Sequence, residues 1–195
     1  MKLTLIKPNI GRREHSLYVD EGRMEPLMLG VLAGLTPPDI EVALYDDRIE
    51  DIPYDEATDL VAITVETYTA RRAYEISAEY RQRGVPVILG GMHVTLAPTE
   101  AAMHADSIFV GDAESSWAEV IADARAGRLQ ACYFGAPGAA QPGGTQPRRD
   151  LYRGKDYLPI SLMQFSRGCR FACSFCAVSH YFGGKQHLRR VEEVV

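Results

Sequence analysis

The stretch Gly168-Cys169-Arg170-Phe171-Ala172-Cys173-Ser174-Phe175-Cys176 places three thiols at C-x3-C-x2-C spacing. Thiolates are soft ligands, so this cluster suits a metal or iron–sulfur centre better than a disulfide framework. Three ligands on a four-iron cluster leave one iron without a protein ligand, open to a substrate or cofactor. A fully ligated electron-transfer cluster offers no such position. A second donor set can also be drawn. Cys176-Ala177-Val178-Ser179-His180 adds a C-x3-H step, so Cys169, Cys173, Cys176 and His180 make a structural Cys3His zinc site. Cys132 stands alone in the sequence and reads as an ordinary, partly buried thiol.

These residues need a scaffold, and short apolar runs alternating with helical patterns supply one over the first ~130 residues, as in a parallel sheet wrapped by helices. Strands are expected at Lys2 to Lys7, Ile40 to Tyr45, Leu60 to Val65, Val85 to Leu89 and Ile108 to Val110. The run LVAITV is continuous, as a strand buried on both faces should be. Met24, Leu27, Met28, Val31, Leu32 and Leu35 share one helical stripe, and Pro37-Pro38 stops that helix. The next helix has Thr69 near its start and Gly84 just past its end. The last has Ser116 three residues before Glu119, a capping-box spacing, and Gly127 beyond its end. The sum is an α/β fold: an open, doubly wound, parallel five-stranded sheet.

Ligands of such sheets bind beyond the C-terminal strand ends. The loops there are Pro8 to Asp20, Asp46-Asp47, Glu66 to Thr69, Gly90 to Thr95 and Gly111 to Glu114. Gly90-Gly91 is either a tight turn or a place where backbone approaches a flat ligand. Asp46 and Asp47 read as turn caps, and Arg71 and Arg72 as a solvated helix face. No G-x-G-x-x-G follows the first strand, so a dinucleotide site has no support.

Residues Ala136 to Pro147 hold three Pro and three Gly in twelve positions, the composition of a linker or loop. The expected division is a first domain over 1–130, a linker over 131–159, and a further unit over 160–195 that opens with a strand at Ile160 to Phe165. That last piece is too small for its own core, so the chain is expected to be the N-terminal part of a longer protein, inactive alone. With 21 basic and 26 acidic residues the chain carries −5, against a general nucleic-acid binder. No apolar run approaches the ~18 residues of a membrane span. No secretory signal is legible, so the protein is expected in the cytoplasm.

At the cysteine loop the sequence resembles the radical S-adenosylmethionine (SAM) superfamily, whose C-x3-C-x-aromatic-C hallmark is matched by Cys169, Cys173, Phe175 and Cys176, flanked by Gln164-Phe165-Ser166-Arg167-Gly168. The aromatic and the domain upstream favour this over zinc. The resemblance implies a 4Fe–4S cluster on Cys169, Cys173 and Cys176, on the first loop of a β/α (TIM-type) barrel. SAM is held at the open iron beside Phe175 and cleaved to a 5′-deoxyadenosyl radical.

With a Rossmann-like or flavodoxin-like domain in front, the chain resembles the cobalamin-binding radical SAM family of methyltransferases and magnesium-protoporphyrin ester cyclases. Val87 to Thr95 resembles that family's strand-four loop, which implies cobalamin contacts at Gly90, Gly91, Met92 and His93. Gly111-Asp112-Ala113-Glu114 is similar to its G-E-x-E-like turn, with Asp112 replacing Glu, and Arg149-Asp150-Leu151 to its lead-in to the cluster strand. The D-x-H-x-x-G cobalt-ligand motif is absent: none of His15, His93, His104, His180 or His187 fits it. His93 therefore reads as a loop histidine near a cofactor edge. The implied partners are a small-molecule substrate and an electron donor such as flavodoxin or ferredoxin. The implied reaction is methyl transfer, oxidative cyclisation or rearrangement. Two other readings stay open: a corrinoid-binding or docking module with a zinc-stabilised tail, and a radical SAM enzyme whose cobalamin domain is degenerate.

Overall fold

The computed structural model describes residues 1–10, 23–136 and 145–193. Most of the loop expected over Pro8 to Asp20, with His15, lies outside them, as do the middle of the Pro/Gly stretch and Val194-Val195.

Strands β1 (Lys2–Lys7), β2 (Glu41–Asp46), β3 (Leu60–Thr64), β4 (Val87–Gly90), β5 (Ser107–Val110) and β6 (Cys132–Phe134) form one sheet in the order β2-β1-β3-β4-β5-β6. Every neighbouring pair is parallel. The expected five strands become six, because Cys132–Phe134 pairs with Ile108 to Val110 at the sheet edge. Three residues show no readable period, so the sequence does not separate them from the loop that follows. Half-buried Cys132 sits on that strand.

Successive side chains on a strand face opposite ways, and both faces here are covered. Leu3, Leu5, Leu60, Ala62 and Ile88 pack under α1 (Leu27–Leu35) and under a helix at the other end of the sheet, Trp117–Arg125. Ile6, Val61, Ile63, Val87 and Leu89 pack on the opposite side under α2 (Ala70–Gln82) and the short α3 (Met92–Leu96) and α4 (Pro98–Ala102). The Trp117–Arg125 helix is α5. Each such Leu, Ile or Val contributes roughly 1.5–3 kcal/mol when fully buried, so the central strands anchor the domain.

Gly84 (φ 75°) and Gly127 (φ 65°) end α2 and α5 as the sequence predicts. Helix α1 begins at Leu27, later than expected, with Pro26 as its N-cap. The capping box expected at Ser116 does not form. Ser116 Oγ instead donates to the Phe134 carbonyl at 3.1 Å, tying the start of α5 to β6. Thr69 opens α2, yet its hydroxyl serves the turn before it, accepting from the Glu66 amide at 3.1 Å.

The latter part of the stretch read as a linker is docked. Residues 145–157 run back over α1 as a strap. Buried Tyr152 donates to the Pro26 carbonyl at 3.0 Å, and Tyr157 donates to Asp46 Oδ2 at 3.0 Å. Arg149 pairs with Glu25, Lys155 with Glu50, and Asp156 with Arg23. Gly30 and Gly34 let the strap approach. A Cβ on Gly30 would lie 2.1 Å from the Tyr152 hydroxyl, and one on Gly34 2.2 Å from the Gln146 carbonyl oxygen.

Beyond the strap, β7 (Ser166–Gly168) and β8 (Gln186–Leu188) form an antiparallel hairpin that carries α6 (Ala177–Tyr181) between them. The strand expected at Ile160 to Phe165 is not one. Ile160, Met163 and Phe165 are exposed, and pairing starts only at Ser166. Among the described residues this hairpin is the only sheet after the strap, and no barrel is formed. Among them, too, no helix is long and apolar enough to cross a membrane.

Candidate functional site

The chain leaves β1 for β2 on one side and returns to β3 on the other, so the strand order reverses between β1 and β3. A crevice at the C-terminal strand ends follows from that reversal. A cleft of about 600 Å³ opens at these ends, on the α1 and α5 face. Its walls are mostly apolar. Leu27, Met28, Leu32 and Leu35 of the α1 stripe line this cleft, and Leu32 and Leu35 also pack against the core cluster that holds Leu29 and Ala33. Periodicity identifies an apolar face but not what covers it.

Gly90, Gly91 and Met92 all line the cleft, and the two glycines differ in kind. Gly91 has φ 104° and ψ −175°, a region only glycine enters readily, and a Cβ there would meet the Val65 carbonyl oxygen at 2.8 Å. Its turn is required by packing. At Gly90 a Cβ would meet only ordinary contact, 3.6 Å from Phe109 Cβ, so the missing side chain there opens room in the cleft. His93, expected beside them, is buried on the far side of the loop. Its ring nitrogens lie 3.1 Å from the Tyr74 hydroxyl and 3.3 Å from Thr67 Oγ1. It is not among the residues of the cleft wall. The reason is helical: as the second residue of α3 it turns toward α2, while Met92 faces the opening.

The carboxylates at the strand ends are mostly engaged. Asp46 is fully buried, held by Arg48 Nε at 2.9 Å and Nη2 at 2.6 Å. Asp47 accepts both Arg72 Nε and Nη2 at 2.9 Å. Arg72 therefore belongs to a half-buried pair with Asp47 and not to a solvated face; Arg71 is exposed as expected. The bond from Arg72 to Asp47 raises the guanidinium pKa above its usual value. Glu66, which lines the cleft, pairs with buried Lys7 at the end of β1.

Opposite α1 the wall is built by the cysteine segment. Arg167 Nη1 donates to Asp112 Oδ2 at 3.2 Å, Nη2 pairs with Glu114, and Nε donates to Gln164 Oε1 at 2.7 Å. Tyr181 of α6 donates to Asp112 Oδ1 at 2.7 Å. Burial alone would lower the pKa of Arg167, but the bonds and charge of Glu114 and Asp112 outweigh it and raise it. Burial, then the bond to Asp112, pushes the Tyr181 phenol up. The sequence shows Arg167 only as a flank of the cysteines. Its meeting with an acidic pair some 55 residues earlier has no local signal.

Cys169, Cys173 and Cys176 follow on one loop between β7 and α6, all as free thiols, with Cys173 exposed and the other two half-buried. Cys176 is the N-cap residue of α6, and backbone N–H groups of Ser179 and then Val178 pull its thiol pKa down. Phe175 is 90% exposed. The donor set fits a sulfur-ligated iron centre: three thiols on one short loop, one with its pKa lowered by backbone N–H groups. Among the described residues no three Cys, His, Asp or Glu side chains, His180 included, converge on a common metal position. The cleft likewise fits a large, flat, largely apolar group, with bare backbone at Gly90 on its floor.

The family described as "B12 binding domain" matches residues 28–121, which run from α1 into α5. The chain is 40% identical over 181 residues to bacteriochlorophyllide d C-8(2)-methyltransferase of Chlorobaculum tepidum, covering 86% of this chain and 39% of that protein. It is 30% identical over 201 residues to bacteriochlorophyllide d C-12(1)-methyltransferase of the same organism, covering 100% of this chain and 43% of the relative. The chain thus spans about two fifths of the length of these relatives. From α1 into α5 it is similar to B12-binding domains, and over most of its length to part of two methyltransferases.

Proposed function

We propose that this chain is the corrinoid-binding part of a cobalamin-dependent radical SAM methyltransferase whose substrate is a chlorophyllide-type tetrapyrrole. The observation that carries it is a coincidence in space. The cleft flanked by the B12-domain match is walled on one side by β7 and α6, the two elements that hold the C-x3-C-x2-C loop. Methyl transfer and the tetrapyrrole class are supported by the two relatives.

In this reading Gly90, Gly91, Met92 and the α1 stripe bind the corrinoid face, and their apolar surface keeps water from it. Cys169, Cys173 and Cys176 hold the 4Fe–4S cluster, and Phe175 stands ready to cover SAM. When bound, these groups supply one-electron chemistry and a methyl carrier, with an electron donor of the flavodoxin or ferredoxin kind. His93, held by Tyr74 and Thr67, leaves cobalt without a histidine ligand from this loop. In this reading β7, which leads into the cysteine loop, stands where the first barrel strand begins, and β8, antiparallel to it, is not a barrel strand.

Two measurements test the reading: anaerobic titration with hydroxocobalamin in the dark, and iron with acid-labile sulfide after reconstitution. Saturable binding without a nitrogen-ligated cobalt spectrum, with about four irons per chain, is the expected result. One tightly held zinc, with no iron taken up, would replace it by the docking-module reading.

A further inference from the structure

We propose that Arg167 is a positioning residue. It latches the cysteine loop to the loop after β5, so that the order of the thiols and the filling of the cleft depend on each other. The guanidinium uses its whole donor fork: Asp112 at 3.2 Å, Glu114, and Gln164 at 2.7 Å. The other end of the cysteine loop reaches the same carboxylate through Tyr181, at 2.7 Å. Asp112 therefore pins both ends of a loop whose middle holds Cys169, Cys173 and Cys176. These groups are largely withdrawn from water, with side-chain exposures of 20% for Arg167, 12% for Asp112 and 6% for Glu114. A partly buried, charge-assisted fork of this kind is costly to break.

A purely structural clamp could sit anywhere on the surface. This one forms the wall: Asp112, Glu114, Arg167 and Tyr181 all line the cleft. A ligand in the cleft therefore presses on the groups that hold the thiols. By linkage, whatever orders the thiols must alter the affinity of the cleft by the same factor. The latch itself does not require the cofactor reading; the coupling to a corrinoid rests on it.

The test uses the full chain, reduced and free of cofactors. Hydrogen exchange over residues 166–182 is compared in wild type, Arg167→Gln and Arg167→Lys, with β3 and β4 as internal references. Arg167→Gln is expected to speed exchange there at least about tenfold and to leave β3 and β4 unchanged, as local opening would. Arg167→Lys, which keeps charge but not the fork, is expected to fall between. Equal exchange in all three proteins overturns the latch. Should Arg167→Gln lose protection in β3 and β4 too, Arg167→Lys decides the question: exchange over 166–182 equal to wild type overturns the latch.

The second arm measures alkylation of the three thiols with and without hydroxocobalamin. The corrinoid is expected to slow it at least about threefold in wild type and not in Arg167→Gln. Equal slowing in both overturns the coupling. A wild type that binds no hydroxocobalamin removes the functional reading and the coupling with it, while the exchange arm still decides the latch.

Discussion

Gly90 and Gly91 are neighbours of one residue type with opposite physical reasons to exist. Gly91→Ala would force an alanine into φ 104°, ψ −175°, with its Cβ 2.8 Å from a backbone oxygen. Strain of about 1–3 kcal/mol plus the clash is expected, read as a lowered urea midpoint. Gly90→Val meets no such obstacle at the end of β4, where a β-branched residue is suited. It is expected to hold Tm within about 3 °C and to weaken hydroxocobalamin binding at least about tenfold. Unchanged affinity in that variant would show that no ligand crosses Gly90. The thiols divide in a similar way. Cys176 is drawn toward the thiolate by N–H groups of α6, whereas burial pushes the Cys132 thiol up. Since the thiolate is the nucleophile, a lowered pKa moves reactivity to lower pH and a raised one moves it up. In the metal-free protein, iodoacetamide at pH 7 should therefore label Cys176 well before Cys132, as mass spectrometry can follow. A Cys176 rate whose pH midpoint is not below that of Cys132 would contradict this.

At the scale of elements, five strands were legible, the edge strand β2 among them, and the short edge strand β6 was not. LVAIT and VIL are buried on both faces, and that burial writes a continuous apolar run into the sequence. Cys132–Phe134 has three residues and one neighbour, too few to show a period. Ile160 to Phe165 shows the composition of a strand without an edge to pair with. The cysteine cluster was legible because its spacing is local. The latch and the strap were not, since each joins residues far apart in sequence. The strap over α1 gives a contest of two effects. Ala at Gly30 gains up to about 1 kcal/mol in helix propensity. Its Cβ, however, would stand 2.1 Å from the hydroxyl of Tyr152, which is 7% exposed and bonded to the Pro26 carbonyl. Overpacking of about 1–3 kcal/mol should win, so Gly30→Ala is expected to destabilise in urea unfolding. A stabilised variant would mean that the strap lifts at little cost.

Across the whole molecule, charge is divided unevenly along the chain. Residues 145–195 hold nine Lys and Arg against four Asp and Glu, although the chain in total holds 21 against 26. The strap and hairpin are thus a basic tail on an acidic domain, and ion pairs join the two: Arg149 to Glu25, Lys155 to Glu50, Arg167 to Asp112 and Glu114. The sheet rests on apolar burial, which salt does not weaken. The contact between tail and domain is electrostatic to a far greater degree. Screening shortens the reach of charges from about 10 Å at 0.1 M salt to about 3 Å at 1 M. Raising KCl over that range should therefore speed hydrogen exchange in 149–157 and 166–182 while leaving β1, β3 and β4 as they were. Within the tail, Tyr152 and Tyr157 hold by burial and hydrogen bonds, so the strap should respond less than the hairpin. An equal response of tail and sheet would mean that apolar packing, not charge, joins the cysteine loop to the domain.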